Sequence, residues 1–374
     1  MTDLGGLARA ARDNHIDLAV VGPEAALEVG IVDLFKKIGI PIFGPTARAA
    51  RIETSKAFSK VLMEKYRIPC ARGATFTDYS AARRYVLQQG APIVIKSDGL
   101  AAGKGVVVAT TTAEAVKTLN DVLQAKSLGA AGERIVIEEC LRGDEMSAFS
   151  FSDGGTVVPI APACDYKRVG DNDKGPNTGG MGSYSPPYFY SPGLEQTVQS
   201  SIMKPAIRAL ASEGSPYQGI LYGGLMITAQ GPKALEFNAR FGDPEAQVIL
   251  PRLKTDLVDV MMAVIEGKLD RVKIEIRQEA CVAVVLASGG YPGKYQTGLP
   301  ITGVDNVDKD VLVFHAGTKL GPRGELLTNG GRVLAVTALG RSMDEAREKA
   351  YANISRIKFA GCQFRKDIAK IGPG

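Results

Sequence analysis

The sequence predicts a multidomain chain that mixes α/β and α+β architecture, and three observations carry that expectation. Its 374 residues exceed what one hydrophobic core usually organises, so two or three domains are expected. Residues 17–43 run strand–helix–strand, the rhythm of an open parallel sheet. Beyond them, short apolar strands alternate with helices and glycine-rich turns, and the residues from 279 onward read as a strand-rich α+β block of their own. Charge patterning narrows the function. Apolar content of 45%, charged content of 23% and a net charge of +5 with no basic block do not suggest a nucleic-acid footprint, yet suit anionic small substrates.

Cys70, Cys140, Cys164, Cys281 and Cys362 are scattered, without metal spacing or a disulfide framework, which points to a reducing cytoplasm. His15 and His315 are the sole histidines, so zinc or histidine-based catalysis has little scope, and His315 reads as structural. No apolar run approaches the ~20 residues of a membrane span, and the first residues carry no apolar signal-peptide core.

Taken in order, residues 2–14 place Leu4, Leu7, Ala8 and Ala11 on one side of a helix. Asp17-Leu-Ala-Val-Val21 reads as a buried parallel strand ended by Gly22-Pro23-Glu24. One helix follows, with Leu27, Ile31, Leu34, Phe35 and Ile38 at helical spacing and Gly39 as its stop. Ile40-Pro-Ile-Phe43 is the next strand. Parallel sheets take ligands at the carboxyl ends of their strands, where Gly22, Pro23 and Glu24 lie, although a plain strand-to-helix turn accounts for them equally. A helix over 55–67 carries Lys56 in its first turn. A cation there opposes the helix dipole. It is tolerated if solvated, and has a purpose if it points at a bound phosphate.

From 72 to 143 the pattern is strand, helix, strand, glycine turn, strand, helix, strand, a small α+β lid whose second helix opens on a capping box, Thr111-Thr-Ala-Glu114. Its glycine turn, Lys96-Ser-Asp-Gly-Leu-Ala-Ala-Gly-Lys-Gly105, looks at first like a P-loop. Three residues, not four, separate Gly99 from Gly103, Lys104 is followed by glycine, and β-branched residues flank both sides. The stretch therefore reads as a turn between antiparallel strands whose N–H groups and Lys104 cover an anion, or as a solvated hairpin tip.

Residues 144–162 alternate as antiparallel strands do. Asp165–Tyr184 is charged, glycine-rich and long, and is expected to be a substrate loop. After a helix near 193–213 come strands at 220–227 and 233–240. In the second, Glu236, Asn238 and Arg240 share one face. Carboxylate and amide oxygens suit Mg²⁺, and a neighbouring arginine suits phosphate or carboxylate, although a salt-bridged solvent face has the same pattern. The final block predicts strands at 280–287, 311–317 and 331–338 and a helix at 342–358, with Thr328-Asn-Gly-Gly-Arg332 as a hairpin turn.

Together VVGPE (20–24), IFGPT (42–46), SKAF (55–58), PIVIKSDGLAAGKGV (92–106), RIVIEECLRGDE (134–145), DYKRVGD (165–171), GPNTGGMGSYSP (175–186), LEFNARFGDPEAQ (235–247), SGGYPG (288–293), FHAGTKL (314–320) and TNGGRVLAVTALG (328–340) resemble the ATP-grasp superfamily. Within it the chain is similar to the phosphoribosylamine–glycine ligase family, the glycinamide ribonucleotide synthetases. The likeness is collinear over essentially the whole chain, and several of the motifs belong to this ligase family more than to the superfamily.

The resemblance implies an ATP-grasp fold. Residues 1–54 would be a partial, truncated N-terminal parallel-sheet (pre-ATP-grasp) domain, 55–278 the ATP-grasp domain with its lid at 72–143, and 279–374 a C-terminal α+β domain. It implies ligation of glycine to 5-phosphoribosylamine in purine (IMP) biosynthesis, with ATP and Mg²⁺ or Mn²⁺, by a cytoplasmic monomer without nucleic-acid or membrane partners. Position by position, Lys56 and Lys96 would reach the α/β-phosphates, and Gly99, Gly103, Lys104 and Gly105 would close over the triphosphate. Glu138, Glu139, Cys140 and Leu141 would form the adenine edge, and Glu145 would meet the ribose. Glu236 and Asn238 would hold the metal. Arg240 would clamp the transferring phosphate, with Lys104 and Asp243 also in the catalytic set and Glu245 in support. Gly22, Pro23, Glu24, Asp165, Lys167, Arg168, Asn177, Thr178 and Gly179 would contact the two small substrates.

Two departures stand beside this. Strand 220–227 has no acidic residue where many ATP-grasp enzymes place a metal ligand. Family members also begin with a further strand and a GNGGREH-type glycine loop, roughly fifty residues that would complete the first sheet. An intact ATP site with an impaired phosphoribosylamine site is therefore expected. A weakly active or inactive ATP-binding paralogue, acting as a non-enzymatic nucleotide binder, is the alternative. A P-loop kinase fails on spacing, and other ATP-grasp ligases lack the 165–186 loop and the two C-terminal glycine turns.

Overall fold

Ala19 and Val20 lie parallel to Ile42 and Phe43 in the computed structural model of the chain, which describes residues 2–99 and 105–370. The chain gathers into two units, each discontinuous in sequence. The first takes Met1–Pro159, Ser191–Phe241 and Leu257–Lys273; the second takes Ile160–Tyr190, Gly242–Asp256 and Ile274–Gly374.

In the first unit the N-terminal helix is Leu4–Asp13, capped by Asp3, and it buries Ala8 and Ala11 while Leu7 stays exposed. The expected buried strand 17–21 is shorter and shallower, Ala19–Val20 with Val20 exposed, because among the described residues it pairs with one partner alone. The single helix expected after Gly22 is two, Glu24–Glu28 and Ile31–Lys37. Gly30, in the left-handed region at φ 86°, breaks it. A helix absent from the sequence reading, Ala47–Thr54, precedes Lys56–Lys65.

The lid is a four-stranded antiparallel sheet in the order Gly73–Phe76, Ile135–Glu139, Ile93–Ser97, Val106–Ala109. Its apolar face buries Ile93, Ile95, Ile135 and Ile137 against Ala82 and Val86 of helix Tyr79–Gln89 and Ala115 and Leu119 of helix Thr112–Leu119. The capping box forms with one displacement. Thr111 accepts from the Glu114 N–H, but Glu114 reaches back to the N–H of Thr110. Behind the lid, Gln218–Thr228 lies between Asp144–Asp153 and Gly231–Asn238, all antiparallel. Phe43, Phe151 and Phe241 pack ring against ring with centroids 6.0–6.2 Å apart, fixing the first parallel pair beside these strands.

The second unit is built on strands in the order Val157–Asp165 (its part from Ile160), Gly182–Ser185, Ala280–Ala287, Arg332–Gly340, Val311–His315. Ala280–Ala287 is buried throughout, and Met343–Ile354 covers the sheet through Ala346, Ala350 and Ile354. The 165–184 stretch is not structureless. It contains the ribbon Arg168–Gly170/Lys174–Asn177 and the buried strand Gly182–Ser185, which pairs with Ala280–Ala287. The Asn-Gly-Gly turn is not a hairpin either. Leu326–Thr328 pairs with Thr318–Leu320 instead of Arg332–Gly340, and the Gly317 and Gly330 backbones pass so closely that a Cβ on Gly317 would lie 2.5 Å from Gly330 Cα.

Candidate active site

Three charged side chains meet under the lid of the first unit. Glu138, in strand Ile135–Glu139, accepts from Lys96 Nζ at 2.7 Å and lies 3.4 Å from Lys60 Nζ. Lys96 also donates to the Leu235 carbonyl at 2.7 Å, and Lys60 to the Ala71 carbonyl. All three are buried, so the cluster carries a net single positive charge away from water. Burial pulls the Lys60 ammonium down, and the Glu138 charge, with Cys70 and Glu64, lifts it above the ordinary lysine range. Glu138 was expected at the adenine edge. Its carboxylate is the counter-ion to two lysines, because strand alternation turns it inward while Glu139 turns outward to Arg72 and Lys233. Lys60 has no sequence signal beyond a lysine on the inner face of a helix.

Asp98 determines how the lid turn meets the neighbouring helix. Its Oδ1 accepts from Ser55 Oγ at 3.0 Å and from the Ala57 N–H at 2.7 Å, so the helix N-terminus beside Lys56 already has a carboxylate. Lys56 is half-buried there, with its own N–H toward the Asp98 carbonyl at 3.4 Å. The Gly99 N–H donates to Ala131 at 3.3 Å, and Ser97 closes the turn on the Gly105 carbonyl at 2.7 Å. Gly103 and Lys104 lie outside the described residues. Cys140 and Leu141 follow the strand end, half-buried, and Glu145 is exposed in strand Asp144–Asp153 opposite Met226.

Glu236 and Asn238 stand half-buried on one face of Gly231–Asn238, with Phe237 and Ala239 turned inward. Glu236 faces Gly224, which has no side chain to crowd it. Two hard oxygen donors on an uncrowded face fit Mg²⁺ completed by phosphate and water. Among the described residues no group of three or more His, Cys, Asp or Glu is placed so that it could hold a metal ion by itself. Arg240 lies past the strand end. Its Nε is 3.0 Å from Glu24 Oε2, one terminal nitrogen is 3.3 Å from Glu53 Oε1, and the other donates to the Phe241 carbonyl at 3.1 Å. Glu24 and Arg240, both sequence candidates, are thus brought together, and Glu53 joins them unforeseen. Burial raises the Glu53 carboxyl to about 7, although Arg240 and the Ala239 N–H pull it down. Burial also works on Glu24, but its backbone hydrogen bond and Arg240 outweigh it and leave that group below the usual range. Gly22 and Pro23 form the entry to helix Glu24–Glu28.

In the second unit Arg332 gathers the other candidates. It donates to the Gly179 carbonyl at 2.7 Å and the Asp243 carbonyl at 3.0 Å, and pairs with Asp243 Oδ2 at 2.5 Å. Tyr291 Oη accepts from the Gly179 N–H at 3.0 Å. Thr178 is tied to the Lys167 carbonyl through both N–H and Oγ1, and the Arg168 guanidinium braces its own ribbon at the Gly175 carbonyl. Asp165 and Lys167 are half-buried beside them, Asn177 is exposed, and Glu245 is buried below. Arg332 and Tyr291 sit in the two glycine turns noted in the sequence, which gave no role to either.

The antiparallel lid, the buried lysines and the Glu–Asn strand define an ATP-grasp protein, and residues 54–246 match the family model for the phosphoribosylglycinamide synthetase ATP-grasp (A) domain. The N-domain model matches 1–53 and the C-domain model 281–371. The chain belongs to the phosphoribosylglycinamide synthetase family. It is 48% identical over 368 residues to a phosphoribosylamine–glycine ligase of Vibrio vulnificus, covering 98% of this chain and 86% of that one. The crystal structure of a phosphoribosylamine–glycine ligase from Thermotoga maritima superposes with TM-score 0.80 at 35% identity, covering 87% of this chain and 81% of that one. A biotin carboxylase from Campylobacter jejuni shares the fold alone, with TM-score 0.76 at 15% identity, covering 98% of this chain and 80% of that one.

Proposed function

We propose that this chain ligates glycine to 5-phosphoribosylamine, converting ATP to ADP and phosphate and forming glycinamide ribonucleotide. The observation that carries this is the collinear 48% identity to a ligase of that name over 98% of the chain. Glycine's carboxylate attacks the γ-phosphate to give glycyl phosphate, and the amine of phosphoribosylamine then displaces phosphate to form the amide. Neither step needs a protein nucleophile; both need positioning and charge stabilisation. Lys96, held in place by Glu138 and the Leu235 carbonyl, offers a fixed cation to the nucleotide phosphates. Arg240, braced by Glu24 and Glu53, would clamp the transferring phosphate. Glu236 and Asn238 would hold Mg²⁺ or Mn²⁺. Such an ion, when bound, draws off the charge on phosphate oxygens. Residues 165–179 with Asp243 serve the two small substrates. The five cysteines are free thiols, in keeping with a cytoplasmic setting.

The test is ADP release by the purified chain with ATP and Mg²⁺, with each small substrate alone and with both. Sustained release requiring both supports ligation. Nucleotide binding without release under any combination would leave the chain a non-enzymatic binder.

A further inference from the structure

The ribbon Arg168–Gly170/Lys174–Asn177 joins no larger sheet among the described residues, and a two-stranded ribbon alone is marginal in water. Its turn adds strain, since Asn172 and Asp173 both adopt the left-handed region, at φ 55° and 51°. All three turn residues are nonetheless tied to one short segment of the second unit. Asp171 Oδ1 accepts from the Lys366 N–H at 2.7 Å, the Asn172 N–H donates to Asp367 Oδ2 at 2.8 Å, and Asp173 Oδ1 pairs with Arg365 at 2.7 Å.

Arg365 is the centre of this grip. Its side chain is 1% exposed, pairs with Asp367 at 2.6 Å, donates to the Arg168 carbonyl at 3.0 Å and lies 4.6 Å over the Tyr166 ring. A planar guanidinium can serve two carboxylates, a carbonyl and a ring at once; an ammonium cannot. Tyr166 in turn accepts the Ala369 N–H at 3.0 Å. Between Tyr166 and Arg168, both held by the segment, lies the Lys167 carbonyl that fastens Thr178.

We propose that residues 364–370 form a strap that presets the ribbon 168–177 for the two small substrates, with Arg365 as its positioning residue. This rests on the reading of residues 165–179 as the substrate loop. A loop ordered before binding loses less conformational freedom when substrate arrives, so loosening the strap weakens binding at that loop and leaves the nucleotide untouched.

Arg365→Lys tests this, with Asp173→Asn as a gentler variant. Asp173 is 70% exposed, and asparagine tolerates its backbone conformation, so the fold is spared. KM for glycine and for phosphoribosylamine is expected to rise about tenfold in Arg365→Lys and about threefold in Asp173→Asn, with KM for ATP within about twofold. Amide exchange should quicken over 167–178 while Ala280–Ala287 stays protected. If Arg365→Lys loses protection in that core strand as well, Asp173→Asn decides. Unchanged exchange over 167–178, or three KM values moving together, overturns the proposal. A parent chain that releases no ADP with both substrates overturns the functional reading instead, and the exchange result still reads the strap.

Discussion

Replacing Glu138 by glutamine removes the one negative charge between two buried lysines while keeping side-chain size. The carboxylate is 2.7 Å from Lys96 and 3.4 Å from Lys60, with side-chain exposures of 5%, 9% and 2%. At an effective dielectric constant of about 20, those contacts are worth about 6 and about 5 kcal/mol before desolvation. Desolvation offsets most of that, and removing one member of a buried ionic group leaves a net loss of about 3–5 kcal/mol. Without Glu138, the burial that depresses Lys60 is opposed only by Cys70 and the exposed Glu64. The folded variant then binds fewer protons than its unfolded chain, so its stability rises with pH and its deficit narrows toward the ordinary lysine range. Urea unfolding of the parent, Glu138→Gln and Glu138→Gln/Lys60→Met at pH 7.5 and 9.5 reads all of this. The single variant should lose about 3–5 kcal/mol at pH 7.5, less at pH 9.5, and recover about half when Lys60 is also removed. A deficit below about 1 kcal/mol, or a double variant no more stable than the single, refutes the charge argument.

Glu53 predicts a pH dependence of opposite sign. Raised from 4.5 to about 7, it keeps in the folded state a proton that the unfolded chain releases, so stability falls between those two values and then levels off. The fall is about 3 kcal/mol in metal-free protein, and Glu53→Gln should flatten that segment of a stability-versus-pH curve. Asp98→Ala removes the carboxylate that caps helix Lys56–Lys65 and should cost about 1–2 kcal/mol in thermal unfolding, while Asp98→Asn keeps much of the cap. Arg240→Gln should lower kcat roughly 100-fold with KM for ATP nearly unchanged; a raised KM for ATP at unaltered kcat would place Arg240 in ground-state nucleotide binding instead.

Local pattern carried the element order well. The antiparallel pairing of Ile93–Ser97 with Val106–Ala109 follows from β-branched runs flanking glycines, and the helix starts at Ser55 and Thr111 follow from their side-chain oxygens. It failed where two local rules competed. Leu27 to Ile38 keep helical spacing through Gly30, yet the backbone turns left-handed there. Asn329-Gly330-Gly331 is a good hairpin signal, but Arg332–Gly340 is already paired on both edges by Ala280–Ala287 and Val311–His315, which leaves no edge for Leu326–Thr328.

The residues at the centre of each charged cluster were the least legible. Lys60, Glu53, Arg332 and Arg365 gain meaning from partners 78, 187, 89 and 192 positions away respectively. By itself the sequence determined which stretches are strands and helices, which turns need glycine, and which family the motifs resemble, because those depend on near neighbours and side-chain type. The tertiary structure alone decided that Glu138 turns inward to two lysines, that Arg240 stands between two glutamates, and that one buried arginine holds the ribbon 168–177. A charge removed from water must find its counter-charge in space, and spatial neighbours of that kind leave no mark in spacing along the chain.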